Sequence, residues 1–195
     1  MGIVKRAADL AYTFRFLKLL VTPFEKTKAF ELGIIDKAGK RDKSVKLKTI
    51  DQKDAYTPFI RLVFNIKRLM GKIPGGQSSI ASYAAALFLI KEKYGMDDES
   101  LLKILDSTGH HPVDFINEDN QWFLLEDGRL SPGVYALKYD KMINSTHEEL
   151  CNARDKIRVA QNSFPVGDIF GLNVYEATHI RTNQKIYVTI EELRG

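Results

Sequence analysis

Pro58-Phe59-Ile60-Arg61-Leu62-Val63-Phe64-Asn65-Ile66-Lys67-Arg68-Leu69-Met70 is the stretch from which the rest of the chain can be read. Phe59, Leu62, Val63, Ile66, Leu69 and Met70 recur at steps of three and four, the period of an amphipathic helix. Pro58 suits a first helical turn, and Thr57 stands where an N-cap oxygen is needed. Arg61, Asn65, Arg68 and Lys72 fall at i, i+4, i+7 and i+11, so they stack along the face opposite the apolar one. This spacing predicts a cationic stripe facing solvent, with Lys67 at its border.

Helices are expected on both sides of this stretch. In residues 3–21, Ile3, Ala7, Leu10, Phe14, Leu17 and Val21 mark one helical face, although Val4, Phe16 and Leu20 make other sides apolar as well. Pro23 ends that helix. Residues 32–57 break the period. Asp36-Lys37-Ala38-Gly39-Lys40 is turn chemistry, and the charged run Lys40–Lys48 reads as an exposed loop or short hairpin, an arm from which Lys43 and Lys46 can touch phosphates. A third long helix is expected from about Ser78 to Tyr94, rich in small residues and ended by Gly95, and a short one from Asp97 to Leu105 with acids in its first turn.

Beyond Gly109 the pattern changes to short β-branched and aromatic runs: Gln121–Leu125, Gly133–Tyr139, Lys156–Ala160, Ile169–Thr178 and Lys185–Ile190. Glu126-Asp127-Gly128 and Arg181-Thr182-Asn183-Gln184 read as hairpin turns, Met142–Ala153 as a short helix, and Glu191-Glu192-Leu193 as a closing turn. The expected fold class is therefore α+β: a basic helical module over residues 1–107, then an acidic β-rich module over 118–195 that forms a small SH3-like or OB-like barrel.

Charge divides along the same line. Residues 1–93 hold 19 Lys/Arg against 8 Asp/Glu, and residues 94–195 hold 10 against 17. The halves thus carry +11 and −7, which make up the chain's net +4. A basic half can hold a polyanion or the acidic half of another copy. The single cysteine, Cys151, excludes an internal disulfide and any multi-cysteine zinc site, and fits a reducing compartment. No apolar run reaches the length that spans a bilayer, so the chain reads as soluble, without a membrane partner.

Gly75-Gly76-Gln77-Ser78-Ser79 opens the third helix, where free backbone N–H groups and the helix dipole favour an anion. With Lys72, Arg68 and Arg61 leading toward it, the anion-binding set comprises Arg61, Arg68, Lys72, Gly75, Gly76, Ser78, Lys43 and Lys46. It is not a Walker A loop, because no Gly-Lys-Ser/Thr stands in register. No Gly-x-Ser-x-Gly elbow is present, and the carboxylate pairs are adjacent neighbours. His110 and His111 diverge, and His147 lacks the partner of a zincin site. The expectation is a non-enzymatic protein without cofactor or metal.

Tyr12–Leu20 through Pro23–Thr27, together with Phe59–Leu69 and Pro74-Gly75-Gly76, resembles small proteins encoded by tailed bacteriophages. The resemblance covers residues 1–94. It implies a virion structural or head/neck assembly protein with a basic face toward DNA. Its partners would be other copies of itself, other virion proteins and DNA, and its location the virion, with the host cytoplasm during assembly. A non-structural nucleic-acid-binding accessory protein is the alternative reading.

Overall fold

The computed structural model describes residues 2–71, 83–108, 123–140, 143–148 and 151–194. The chain is α+β, with helices in its N-terminal half and an antiparallel sheet in its C-terminal half. Helix α1 runs Gly2–Val21, a 3-10 turn follows at Phe24–Lys26, and short helices α2 and α3 cover Lys28–Glu31 and Ile50–Ala55. Helix α4 is Pro58–Met70, α5 is Ala84–Tyr94 and α6 is Asp98–Ser107. Among the described residues, no helix is long and apolar enough to cross a membrane.

Local chemistry sets these boundaries. Thr57 Oγ1 accepts from the Ile60 N–H at 3.3 Å and caps α4, with Pro58 in the first turn. Asp97 Oδ1 accepts from the Ser100 N–H at 2.7 Å and caps α6. Gly95 ends α5 in the left-handed region at φ 68°. Helix α3 was not anticipated. It is a turn and a half opened by a reciprocal pair, in which Gln52 N–H donates to Thr49 Oγ1 and Thr49 N–H to Gln52 Oε1, both at 3.2 Å.

The buried face of α1 differs from the expected one. Phe14 is 67% exposed and Val21 59%, whereas Phe16 and Leu20 are buried. Apolar residues surround this helix, so its period alone could not choose a face. The choice comes from an aromatic cluster, in which the Tyr12, Phe59 and Tyr94 rings lie 5.1–5.4 Å apart, centre to centre.

The sheet contains β1 (Gly133–Leu137), β2 (Lys156–Val159), β3 (Pro165–Ile169), β4 (Leu172–His179), β5 (Gln184–Val188) and β6 (Leu193–Arg194). Its order is β3-β4-β2-β1-β6, with β5 on the other edge of β4. The strand expected at 169–178 is present as β4 from Leu172, but its start differs: Ile169 ends β3, and Phe170 and Gly171, at φ 50° and 79°, turn β3 into β4. The helix expected at 142–153 is not present among the described residues of that span, where Asn144 makes an isolated bridge to Ile186. A 3-10 turn, Ile190–Glu192, precedes β6.

Helix α5 seats the helical half on the sheet. Ala84, Ala85 and Ala86 are buried and allow close approach. Phe88 packs against Tyr187 of β5, and Gly167 of β3 lies directly under the Phe88 ring. Lys91 Nζ bonds the Asp168 carbonyl at 3.0 Å and pairs with Asp98 at 3.1 Å, tying α5 to β3 and α6. The helical core takes in Ile143, Ile169 and Val174 of the C-terminal half, and the sheet's core takes in Ala85. Most of the expected boundary at 107–118 lies outside the described residues.

Candidate anion-binding cleft

Arg61, Asn65 and Arg68 do share one face of α4, but that face is largely covered. Asn65 and Arg68 are 5% and 7% exposed, and Arg68 Nη2 donates to Asn65 Oδ1. The expected solvent-facing stripe is therefore a second buried face, because α4 runs through the middle of the helical core. Only its N-terminal end opens outward, at Arg61, whose side chain is 24% exposed. Lys72, Gly75, Gly76 and Ser78 lie outside the described residues.

Arg61 opens into a cleft of about 650 Å³ between the two halves. The 36–45 loop supplies Lys40, Arg41 and Lys43 to its wall, α4 supplies Arg61 and Asn65, the 143–152 segment supplies His147, Glu148, Cys151 and Asn152, and the β4–β5 turn supplies Arg181. Among the described residues, the cleft lining thus gathers five Lys/Arg side chains and one acid, Glu148. Two of the anticipated residues, Arg61 and Lys43, meet here. Lys46 is exposed on the same loop but is not part of the lining.

Short-range bonds shape the walls. In the loop, Asp36 Oδ1 accepts from the Ala38 and Lys40 N–H groups at 2.9 and 2.8 Å. Gly39 sits at φ 73° against the Phe24 ring, where a Cβ would fall 2.4 Å from ring carbons. Arg41 donates to the Ile34 carbonyl at 3.1 Å and to the Asp42 and Val45 carbonyls, so the loop folds around its guanidinium. The guanidiniums of Arg41 and Arg61 lie 5.3 and 6.0 Å from the centre of the Tyr56 ring, which holds both at the cleft. Among the described residues, no carboxylate pairs with Lys40 or Lys43.

Across the cleft, Asn144 organises the turn that carries His147. Its Oδ1 accepts from Thr146 N, Thr146 Oγ1 and Glu148 N at 2.7–3.0 Å, and its Nδ2 donates to Gln184 Oε1 of β5 at 3.0 Å. This turn holds His147 at φ 66° and 6% exposed. His147 Nε2 and Arg61 Nε are both buried, and neither has a hydrogen-bond partner among the described residues. Burial foremost, then the Lys93 charge, push the imidazole below its ordinary value, against a bond to the Thr146 backbone that raises it; Arg61 adds to the lowering. Glu148 Oε1 reaches only Arg61 Nη1, at 3.8 Å.

Beside Arg181, sulfur, oxygen and nitrogen of Cys151, Asp155 and His179 lie within 4.8 Å of one another, the elements of a transition-metal site. The grouping joins the loop before β2 to the end of β4 and has no signature spacing, so it could not be read from the sequence. Its hydrogen bonds close internally. Asp155 Oδ2 accepts from the Asn152 N–H at 3.0 Å and Arg181 at 2.8 Å and contacts His179 Nε2 at 3.2 Å, while His179 Nδ1 contacts Thr182 Oγ1 at 2.8 Å. Burial opposes the Asp155 charge, yet the Asn152 N–H, Arg181 and His179 hold its carboxyl below the usual range. Burial, reinforced by Asp155, pushes the Cys151 thiol up to about 12, so it is protonated and a poor nucleophile or ligand.

Comparison with protein-family models, curated proteins and solved structures finds no match.

Proposed function

We propose that this is a non-enzymatic nucleic-acid-binding protein whose cationic cleft grips phosphate groups, and that it serves as a structural or head/neck assembly component of a tailed-phage particle. One observation carries the binding reading: Lys40, Arg41, Lys43, Arg61 and Arg181, drawn from three separate parts of the chain, converge on one cleft. Cations brought together from distant segments repel each other, and an arrangement of that kind is favourable when an anion offsets the repulsion. The phage assignment rests on the resemblance of residues 1–94.

The sheet fits this reading as an SH3-like barrel. If β2 and β3 are counted as one interrupted partner of β4, the strands form a meander, except that β6 returns to pair with β1. An OB fold is a Greek key instead.

The test is the salt dependence of DNA affinity. On a single strand each phosphate contacted adds about −0.7 to the slope of log K against log salt, so the cleft cations together give a slope no steeper than about −3 to −4. Lys43→Glu should flatten it by about one unit. Affinity indifferent to salt and to this change would remove the cleft from the argument. For the phage assignment, mass spectrometry of purified particles should find this chain.

A further inference from the structure

We infer that the floor of the cleft is a subsite for a phosphomonoester, the terminal phosphate of a nucleic-acid strand, held by Arg61 Nε and His147 Nε2. This rests on the reading of the cleft as phosphate-binding and names which phosphate it takes. Both nitrogens are buried in the lining without a hydrogen-bond partner among the described residues. Buried polar atoms left unmade are unfavourable, so two of them on residues that line one cleft mark a place where a ligand's oxygens would be favourable. The surrounding charge requires those oxygens to be anionic. A phosphoryl group presents several in a geometry that guanidinium matches.

Access and proton chemistry select the monoester. His147 is 6% exposed and lines a recess of about 650 Å³. That is the size of a small-ligand site. A duplex backbone is far too wide to enter, and an internal diester carries a sugar on each side. A strand end can insert one group. Nε2 is the ring nitrogen left without a partner among the described residues, and burial disfavours the charged ring, so in the neutral ring Nε2 can present a lone pair. A phosphomonoester loses its second proton near pH 6 and so has a proton to share with that lone pair. A diester has none near neutral pH. Among the described residues, Lys93 from α5 and Arg61 from α4 act on the ring by their charge, and Glu148 is adjacent in sequence and pairs with Arg61. Two of the three are cationic, which favours the extra negative charge of a monoester.

The experiment compares a short fluorescent single strand bearing a terminal phosphate with the same strand ending in a hydroxyl, by anisotropy. The wild type should prefer the phosphate by about tenfold or more, and the preference should shrink as pH rises from about 6 to 8. His147→Asn tolerates the left-handed backbone but is too short to reach the ligand, so it should erase the preference while still binding the hydroxyl strand. Lys43→Glu should weaken both strands alike and keep the preference. Circular dichroism establishes that each variant is folded. Equal affinity of the two wild-type strands, with normal salt dependence, overturns the subsite and leaves the nucleic-acid reading standing. A preference that survives in His147→Asn also overturns it. A mononucleotide that binds through His147 while neither strand binds supports the phosphomonoester subsite and overturns the nucleic-acid reading.

Discussion

Gly167→Ala tests how the helical half is fastened to the sheet. Gly167 lies where the β3–β4 register shifts, and its backbone is not in the left-handed region, so alanine meets no backbone strain there. The obstacle is steric. An added Cβ would fall 2.5 Å from Phe88 Cε2, 3.1 Å from Cζ and 3.6 Å from Cδ2. The ring has little room to yield, because it is 5% exposed and packed 5.6 Å from the Tyr187 ring, centre to centre. Overpacking of this kind costs about 1–3 kcal/mol. At roughly 2–4 °C per kcal/mol for a chain of this size, Tm should fall by about 2–12 °C. Phe88→Leu removes the two atoms that clash most closely. In that background Gly167→Ala should be nearly neutral or slightly stabilising, since alanine restricts the unfolded chain. Thermal melts of the four proteins in the cycle should therefore yield a coupling of about 1–3 kcal/mol. The same loss in both backgrounds, or none in the wild type, would refute the close approach of α5 to β3.

Two more predictions separate binding from folding. Arg61→Glu should keep the fold and abolish polyanion binding in a gel shift, whereas Arg68→Glu should cost about 3–5 kcal/mol in a denaturant melt, the scale for stranding a buried charge; equal stability of the two would contradict the inward placement of Arg68. Burial pushes the Glu192 carboxyl well above its ordinary value of 4.5, outweighing the bonds it accepts from Thr189. The folded state thus keeps a proton that the unfolded chain releases, and this contribution to stability, complete below 4.5, is lost as pH rises toward the folded value. Glu192→Gln should melt close to wild type near pH 4.5 and above it at mildly alkaline pH; a constant gap across pH would disprove the protonated state.

The helices with decisive ends were legible. Thr57-Pro58 and Gly95 are caps that act over three or four residues and fall where the sequence placed them, while Asp97, read as the first residue of its helix, is the N-cap one position earlier. The division into helices first and antiparallel strands second was legible for the same reason, since its signals are local. What was not legible depends on partners distant in sequence. Arg68 has the spacing of a surface stripe, and only the position of α4 within the core buries it. Phe14 and Phe16 are equivalent in composition, and the Tyr12–Phe59–Tyr94 cluster decides between them. The same holds for the site. Lys43 and Arg61 were readable as cations, but their meeting with Arg181 and His147 joins positions 86 to 138 residues apart. The Thr49/Gln52 capping box was a readable signal for α3, hidden inside a run that looked like charged loop.

The cleft borrows its walls from both ends of the chain. A ligand lodged there would touch the 36–45 loop and the β4–β5 turn at once, bridging segments that unfolding separates. Occupancy would then be recorded as durability, with a ligand at about a hundred times its dissociation constant adding about 2.7 kcal/mol. In a cell that degrades whatever opens most often, the empty molecule would be cleared ahead of the loaded one, and turnover would itself select for copies that had found their ligand.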